Sequence, residues 1–378
     1  MLLLALPHLL AATLLPPPSI AGADPPGAIT CAALLDERTL LLGRTDGLIV
    51  PVDPRTGERI GRDPFARHTS AIAELAVDHT GEFVAAASAG GEVALWSVRV
   101  ERAGGAIGYP GPFASPTAEI TPTPKPWHEA VELEWTHDGS HLVTWSYDWL
   151  HGESPTTVQV WTREGELVWT GPRARQVDVH PTERRLAAVV EDAVLLGWPG
   201  KDLRTIELSG AYDSVEFSPD GASLAVGGRD FALWILDSAS GDVAKTRRIV
   251  EADPMQLHGF VQRVRWSPDG QHIGVVVAKG LIPAILDAET LETIVAPGLL
   301  GGRMWYVFDV AWTPLGCLLT GSGEVRAYDP STSKFTRLCE GAEWQDLVTI
   351  DDSREFVLVA GGVARRFDLM GTEVRWKR

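Results

Sequence analysis

The stretch Val215-Glu216-Phe217-Ser218-Pro219-Asp220-Gly221 decides the fold. A short alternating run enters a tight polar turn; a second apolar strand ending in small residues leaves it, and a third strand ends at Trp234. The same pattern returns in both directions along the chain. Its first turns are Asp36-Glu37-Arg38, Asp78-His79-Thr80-Gly81, His137-Asp138-Gly139, Pro181-Thr182-Glu183, Pro219-Asp220-Gly221, Pro268-Asp269-Gly270, Pro314-Leu315-Gly316 and Asp351-Asp352-Ser353. The third strands end at Val52-Asp53, Trp96-Ser97, Trp161-Thr162, Trp198-Pro199, Trp234, Leu286-Asp287, Tyr328-Asp329 and Phe367-Asp368. Both series count eight. Asp36 and Asp352 lie seven repeats apart, about 45 residues per unit, enough for four short strands and their turns. No segment sustains a helical apolar period. The pattern therefore predicts an all-β chain: a single closed β-propeller of eight four-stranded blades over residues 29–378, whose radial closure leaves only short, protected strand edges.

The residues at these landmarks resemble the WD40-repeat family. Ser218-Pro219-Asp220-Gly221 and Ser267-Pro268-Asp269-Gly270 look like that family's turn between its first two strands, and Val215-Glu216-Phe217 and Val264-Arg265-Trp266 like its first strand. The third repeat is the fullest match: His128, Ser146, Asp148 and Trp161 resemble the family's structural tetrad. The resemblance implies that imidazole, hydroxyl, carboxylate and indole there satisfy one another's hydrogen bonds. In the second repeat His68, Ser88 and Trp96 match, but Gly90 stands in the place of the Asp. Repeats one, six, seven and eight lack the Trp at the third-strand end. A second likeness, to the Trp-docking repeats of quinoprotein-like eight-bladed propellers, rests on Val52 to Glu58, Glu164 to Trp169 and Gly371 to Trp376. It implies a cofactor in those members that are dehydrogenases. That family's adjacent-cysteine feature and acidic metal site cannot be placed in this chain, and inter-blade packing explains a Gly turn followed by a Trp equally well. The reading takes no cofactor and no enzyme activity.

Composition bounds the partners. With 45% hydrophobic and 22% charged residues among 378, the chain has apolar material for a full core, which excludes disordered, collagen-like and coiled-coil classes. Its 33 basic and 50 acidic residues give a net charge of −17. That field repels nucleic acid and anionic lipid and favours another protein with a basic or neutral contact segment. Cys31, Cys317 and Cys339 are an odd, widely spaced set with neither disulfide nor zinc-ligand spacing. The chain has no Asn, and only six of its basic residues are Lys, the coding bias of a GC-rich, bacterial genome.

Residues 1–28 form an apolar and Pro-rich leader. Leu2 to Leu15, followed by Ala21-Gly22-Ala23, suggest an export signal, but no Lys or Arg precedes the run and Pro7-His8 interrupts it. The reading favours a leader strand packed on a cytoplasmic protein, with export as the alternative. The run is too short for a membrane span of about 20 residues.

Other chemistry is sparse. There is no GxGxxG, no GxxxxGK[ST], no HExxH and no GxSxG. His137 and His141 stand four apart across a turn and read as two exposed turn histidines. Glu132 and Glu134 share one strand face, either as an acidic lining of the channel mouth or as ordinary solvated positions. The informative irregularity surrounds the third repeat, where insertions fall at about 101–126 and 149–156. The first is rich in proline, and six of the fourteen tryptophans (Trp127, Trp135, Trp145, Trp149, Trp161, Trp169) crowd this region. Long loops on rigid scaffolds carry function, and Trp and Tyr anchor binding surfaces. The candidate contact residues are therefore Trp127, Tyr147, Trp149, His151 and Glu153, with a proline-rich loop folded over the aromatics as the competing explanation. The fourth strand of repeat two has two possible places, Ala106 to Tyr109 or Ala118 to Thr121. The first puts the proline-rich segment on the face of Trp149; the second puts it on the opposite face. The function expected is a non-enzymatic protein-interaction platform. The alternative is a ligand- or cofactor-binding propeller, quinoprotein-like or hydrolytic, that uses the axial channel.

Overall fold

The computed structural model describes residues 27–61, 64–98, 116–122, 131–146, 157–208, 210–229, 231–250, 259–277, 282–295, 307–313, 316–321, 324–329, 332, 334–340, 344–350, 355–360, 362–368 and 373–374. They form eight antiparallel four-stranded sheets, and each sheet takes its strands in chain order from one contiguous stretch. The chain is an eight-bladed β-propeller. Among the described residues there is no helix.

The first strand of each blade lies innermost: Ile29–Asp36, Ile72–Val77, Glu132–Trp135, Gln176–Val179, Ala211–Phe217, Val261–Trp266, Val307–Thr313 and Trp344–Ile350. Sequence chemistry explains the layering. Second strands such as Phe83–Ser88 and Leu186–Val190 are almost wholly apolar and buried, since both of their faces meet a neighbouring blade. Fourth strands such as Val243–Arg248 are polar and exposed, because they form the rim.

Apolar burial counts the blades a second time. Each core cluster joins the facing sides of two consecutive blades, from Leu41, Ile49, Leu75 and Trp96 between blades 1 and 2 to Leu318, Phe356 and Phe367 between blades 7 and 8. The eighth cluster closes the ring: Leu40, Leu42, Val50 and Val52 of blade 1 pack on Val357, Val359 and Ala364 of blade 8. The Ile29 amide donates to the Gly362 carbonyl at 3.0 Å across this joint. No described strand is shared between the two blades.

The turn that carries the sequence pattern has a local cause. The Gly221 amide donates to the Ser218 carbonyl at 2.7 Å, while Asp220 Oδ1 accepts the Ser218 hydroxyl at 2.6 Å and the Ala222 amide at 3.0 Å. The turn needs a residue at φ 73°, which glycine supplies without strain. Ser267-Pro268-Asp269-Gly270 repeats these bonds one blade on.

The fourth strand of blade 2 is Ala118–Ile120, paired to Val93–Ser97. This settles where the long segment before blade 3 belongs. The chain between Val98 and Pro116 joins the third and fourth strands of blade 2, whereas the chain between Pro122 and Val131 joins blade 2 to blade 3. Strand direction then places their anchor points at opposite ends of the blades. The 147–156 link, between the second and third strands of blade 3, is anchored at the same end as the 123–130 link. The 99–115 segment is anchored at the other end. Residues 1–26 of the leader lie outside the described residues.

Candidate functional site

Of the residues singled out for contact, Trp127, Tyr147, Trp149, His151 and Glu153 all lie outside the described residues, as do His128 and Asp148 of the tetrad. What the structure shows is the frame that holds their links. Trp161 is only 7% exposed and packs with Leu95, Ile120, Leu133 and Leu142 between blades 2 and 3. Its indole N–H donates to Thr144 Oγ1 at 3.0 Å. The tetrad reading gave that hydroxyl to Ser146, which is also buried but stands elsewhere. Trp161 pairs with Leu142 across the strands, so Thr144 is its diagonal neighbour. Ser146 lies four rungs from that pair, roughly 13 Å at the usual strand rise, too far for an indole. Trp135 is buried too, with its indole donating to the Ala76 carbonyl at 3.3 Å. Trp145 is buried between blades 3 and 4, and Trp169 packs half-buried on the same core. Packing thus accounts for four of the six tryptophans of this region.

The second repeat shows what a missing tetrad carboxylate leaves behind. His68 is 9% exposed, and its Nδ1 accepts the Thr69 amide at 2.9 Å. Its Nε2 is buried with no hydrogen-bond partner, and so is Ser70 Oγ. A β-carbon built on Gly90 would stand 3.4 Å from Ser70 Oγ and 3.5 Å from Ser88 Oγ, so the space of the absent side chain is bordered by these hydroxyls.

The channel wall holds a more organised set. An innermost strand is an unpaired edge, and its channel-side amides need acceptors. Here the preceding blade supplies them. Glu74 Oε1 accepts the Leu133 amide at 3.2 Å, Glu134 Oε1 the Val179 amide at 3.2 Å, Asp178 Oδ2 the Phe217 amide at 2.6 Å and Glu216 Oε2 the Trp266 amide at 2.6 Å. Ser214 Oγ accepts the Val264 amide at 2.8 Å in the same way.

Strand register sorts these groups into two tiers. Glu134, Asp178, Glu216 and Arg265 occupy one equivalent position in blades 3 to 6, each paired to Val143, Ala187, Ala225 and Gly274 respectively. The same position in blades 7, 8, 1 and 2 holds Ala311, Val348, Ala33 and Ala76. Two residues earlier lie Glu74, Glu132, Gln176, Ser214 and Arg263 in blades 2 to 6, and Asp309, Asp346 and Cys31 in blades 7, 8 and 1. In the first of these tiers one arc is therefore charged and the facing arc small and apolar, whereas the second tier carries acidic residues on both arcs. Repeat stacking contains this signal, as the residue between the last two apolar positions before each first turn. Reading Glu132 and Glu134 within one repeat shows only a fragment of it. Glu132 is exposed, while Glu134 is half-buried in the wall.

Crowding sets the electrostatics. Burial, reinforced by the Asp178 charge, pushes the Glu134 carboxyl well above the ordinary carboxylate range. Burial raises Asp178 to about 6, against the pull of the Phe217 amide and Arg265. Both residues are half-buried in the channel wall. Arg265 Nη1 approaches Glu216 Oε1 at 4.0 Å. Because the folded pair holds protons that unfolded carboxylates release near pH 4, its contribution is intact below that pH. It is lost as pH rises through about 6. Glu134→Gln keeps the backbone cap and removes one charge. It is expected to stabilise the protein at pH 7.5 by on the order of 1–2 kcal/mol and to have little effect at pH 4.5. Thermal unfolding at the two pH values checks this, and an equal shift at both would contradict the protonation argument.

The turn histidines part company. His137 lies against His79 of blade 2, ring centroids 5.3 Å apart, and His141 against Trp198 of blade 4 at 5.2 Å. Among the described residues no three His, Cys, Asp or Glu side chains are placed to hold a metal ion. Nor is any described helix long and apolar enough to cross a membrane.

Known proteins match this architecture at the level of fold. No protein-family model matches the chain, and no curated protein sequence does. Among solved structures it is similar to the computationally designed Ika8 protein, with a TM-score of 0.61 and 16% identity over 93% of this chain and 98% of that one. It is also similar to Saccharomyces cerevisiae Sqt1, with a TM-score of 0.67 and 12% identity over 90% of this chain and 96% of that one. At such identities the likeness shows that the chain shares a fold with these proteins.

Proposed function

We propose that this propeller is a non-enzymatic interaction platform, WD40-like in its turns and strands, that binds another protein through the links around blade 3 and the adjoining channel rim. One observation carries the reading. Trp135, Trp145, Trp161 and Trp169 are used in packing, which leaves Trp127 and Trp149 in two links anchored at one end of a rigid blade. Aromatic anchors on a fixed scaffold give affinity, and the charge of −17 steers a basic contact segment. The 99–115 segment is anchored at the other end.

The test is affinity purification of the tagged protein from its native host at low salt. It compares wild type with Trp127→Ala/Trp149→Ala and with a variant whose residues 101–115 are replaced by a short Gly-Ser linker. The linker leaves the strand Ala118–Ile120 intact. A partner lost from the double-Trp variant alone supports the blade-3 face. A partner lost only with 101–115 moves the site to the opposite end. Recovery of a small molecule in place of a protein would favour the alternative, a ligand-binding channel.

A further inference from the structure

Three carboxylates, one arginine and one unsatisfied amide line one arc of the channel wall over four successive blades. Glu134, Asp178 and Glu216 follow one another around three blades at a single register, with Arg265 next in the series. The Glu216 side chain is 20% exposed and that of Arg265 31%, so this tier is open to the lumen. Each carboxylate accepts a backbone amide of the next blade, and Asp178 is also hydrogen-bonded to Glu134; with four lone pairs on each carboxylate, further donors can still be accepted.

An independent observation points to a missing donor. Gln176 lies two residues before Asp178, and strand alternation puts the two side chains on the same face. Gln176 is 8% exposed, and its Oε1 is buried without a hydrogen-bond partner. The equivalent side chains Glu74 and Ser214 do accept a bond, each from the inner strand of the next blade. A buried acceptor left unmade costs about 1–3 kcal/mol, which a ligand N–H arriving from the lumen recovers.

The remaining charges near these tiers are those of Glu74, Glu132 and Arg263, Asp309 and Asp346 at the equivalent register positions of blades 7 and 8, and Arg175, which is bound to Asp213 at 2.6 Å. Acids outnumber bases on the charged arc of the lower tier by three to one. At this lower tier the facing arc holds Ala33, Ala76, Ala311 and Val348, all small and apolar. A side chain with an aliphatic stem and a cationic head suits both walls: the stem lies on the alanines and the head donates to the carboxylates.

We propose that the channel at Glu134, Asp178 and Glu216, with Gln176 above them, binds the ammonium or guanidinium head of a lysine or arginine presented by a partner protein. This rests on the platform reading and names the chemistry of its partner. A bound cation takes the place of the proton that the crowded carboxyls otherwise hold, so binding near neutral pH releases protons.

The experiment is calorimetric titration of the full chain at low salt with acetyl-Gly-Arg-Gly-amide, acetyl-Gly-Lys-Gly-amide and the neutral acetyl-Gly-norleucine-Gly-amide. Runs in two buffers of different ionisation heat measure the protons released. One or both cationic peptides should bind with proton release, and the norleucine peptide should not. Binding should weaken by about tenfold or more in Glu134→Gln/Asp178→Asn, where close charge pairing is removed. It should also weaken in Gln176→Leu, which leaves the charges in place and remains informative if the double variant does not fold. Glu164→Gln/Glu166→Gln, at exposed positions on blade 3, removes at least as much negative charge and should bind as wild type. Cationic peptides that bind no better than norleucine, or that lose affinity equally in the Glu164/Glu166 variant, overturn the inference. Peptide binding is read without any partner, so failure here leaves the blade-3 platform standing. Failure of partner capture likewise leaves the channel result intact.

Discussion

Trp161→Ala is expected to destabilise the protein by about 3–5 kcal/mol, the usual cost of deleting a large buried aromatic. Its indole fills the joint between blades 2 and 3, touching a cluster drawn from both. Truncation leaves a cavity that two rigid sheets cannot collapse around, and it deprives Thr144 Oγ1 of its donor. Trp161→Phe should recover most of the loss, since it restores the packing and not the hydrogen bond. Trp149→Ala, in the 147–156 link, should cost less than about 1 kcal/mol. Denaturant midpoints of the three variants give the order directly. Equal losses for Trp161 and Trp149 would show that the link tryptophan is also core.

Gly221→Val should cost at least about 2–4 kcal/mol, from two additive causes. The backbone stands at φ 73°, where a β-branched residue is strained. The new side chain would also start within 2.2 Å of His180 Cε1. That imidazole is fixed from the next blade: its Nε2 meets the Gly221 carbonyl at 3.0 Å, and its ring stands edge-on to Phe217 at 4.9 Å. Gly270→Val offers a control for the backbone term alone, because among the described residues the nearest atom to its β-carbon is Pro219 Cδ at 3.9 Å. If thermal unfolding shows the two variants equally destabilised, the His180 contact contributes nothing.

Much of this fold is legible in the chain because the turn at Ser218 to Gly221 needs particular residues for particular bonds. Asp220 must accept and Gly221 must turn left-handed, so the pattern recurs wherever the turn does. The strand ends are legible for a similar reason, since a large residue at Trp96, Trp161 or Trp198 closes each joint. What escapes reading is whatever depends on register between strands. Thr144 and Ser146 alternate onto the same face, so only the pairing of Leu142 with Trp161 chooses between them. Ala106 to Tyr109 and Ala118 to Thr121 are equally short, and pairing with Val93–Ser97 selects the second. The channel cluster is hidden most deeply. Glu134, Asp178, Glu216 and Arg265 lie scattered over four repeats and become neighbours only when blades 3 to 6 stack.

The joint between blades 1 and 8 gives that ring a preferred place to part. Seven joints are bridged by continuous chain, whereas among the described residues this one is held by an apolar clasp, the Ile29 to Gly362 bond and the Arg366 guanidinium donating to the Arg55 carbonyl. If it opens, both exposed faces are complementary to the faces of a second opened copy. Crowded or heated protein thus has a route to exchanged dimers in which each clasp closes between molecules. The same apolar surfaces that complete one wheel would then link two.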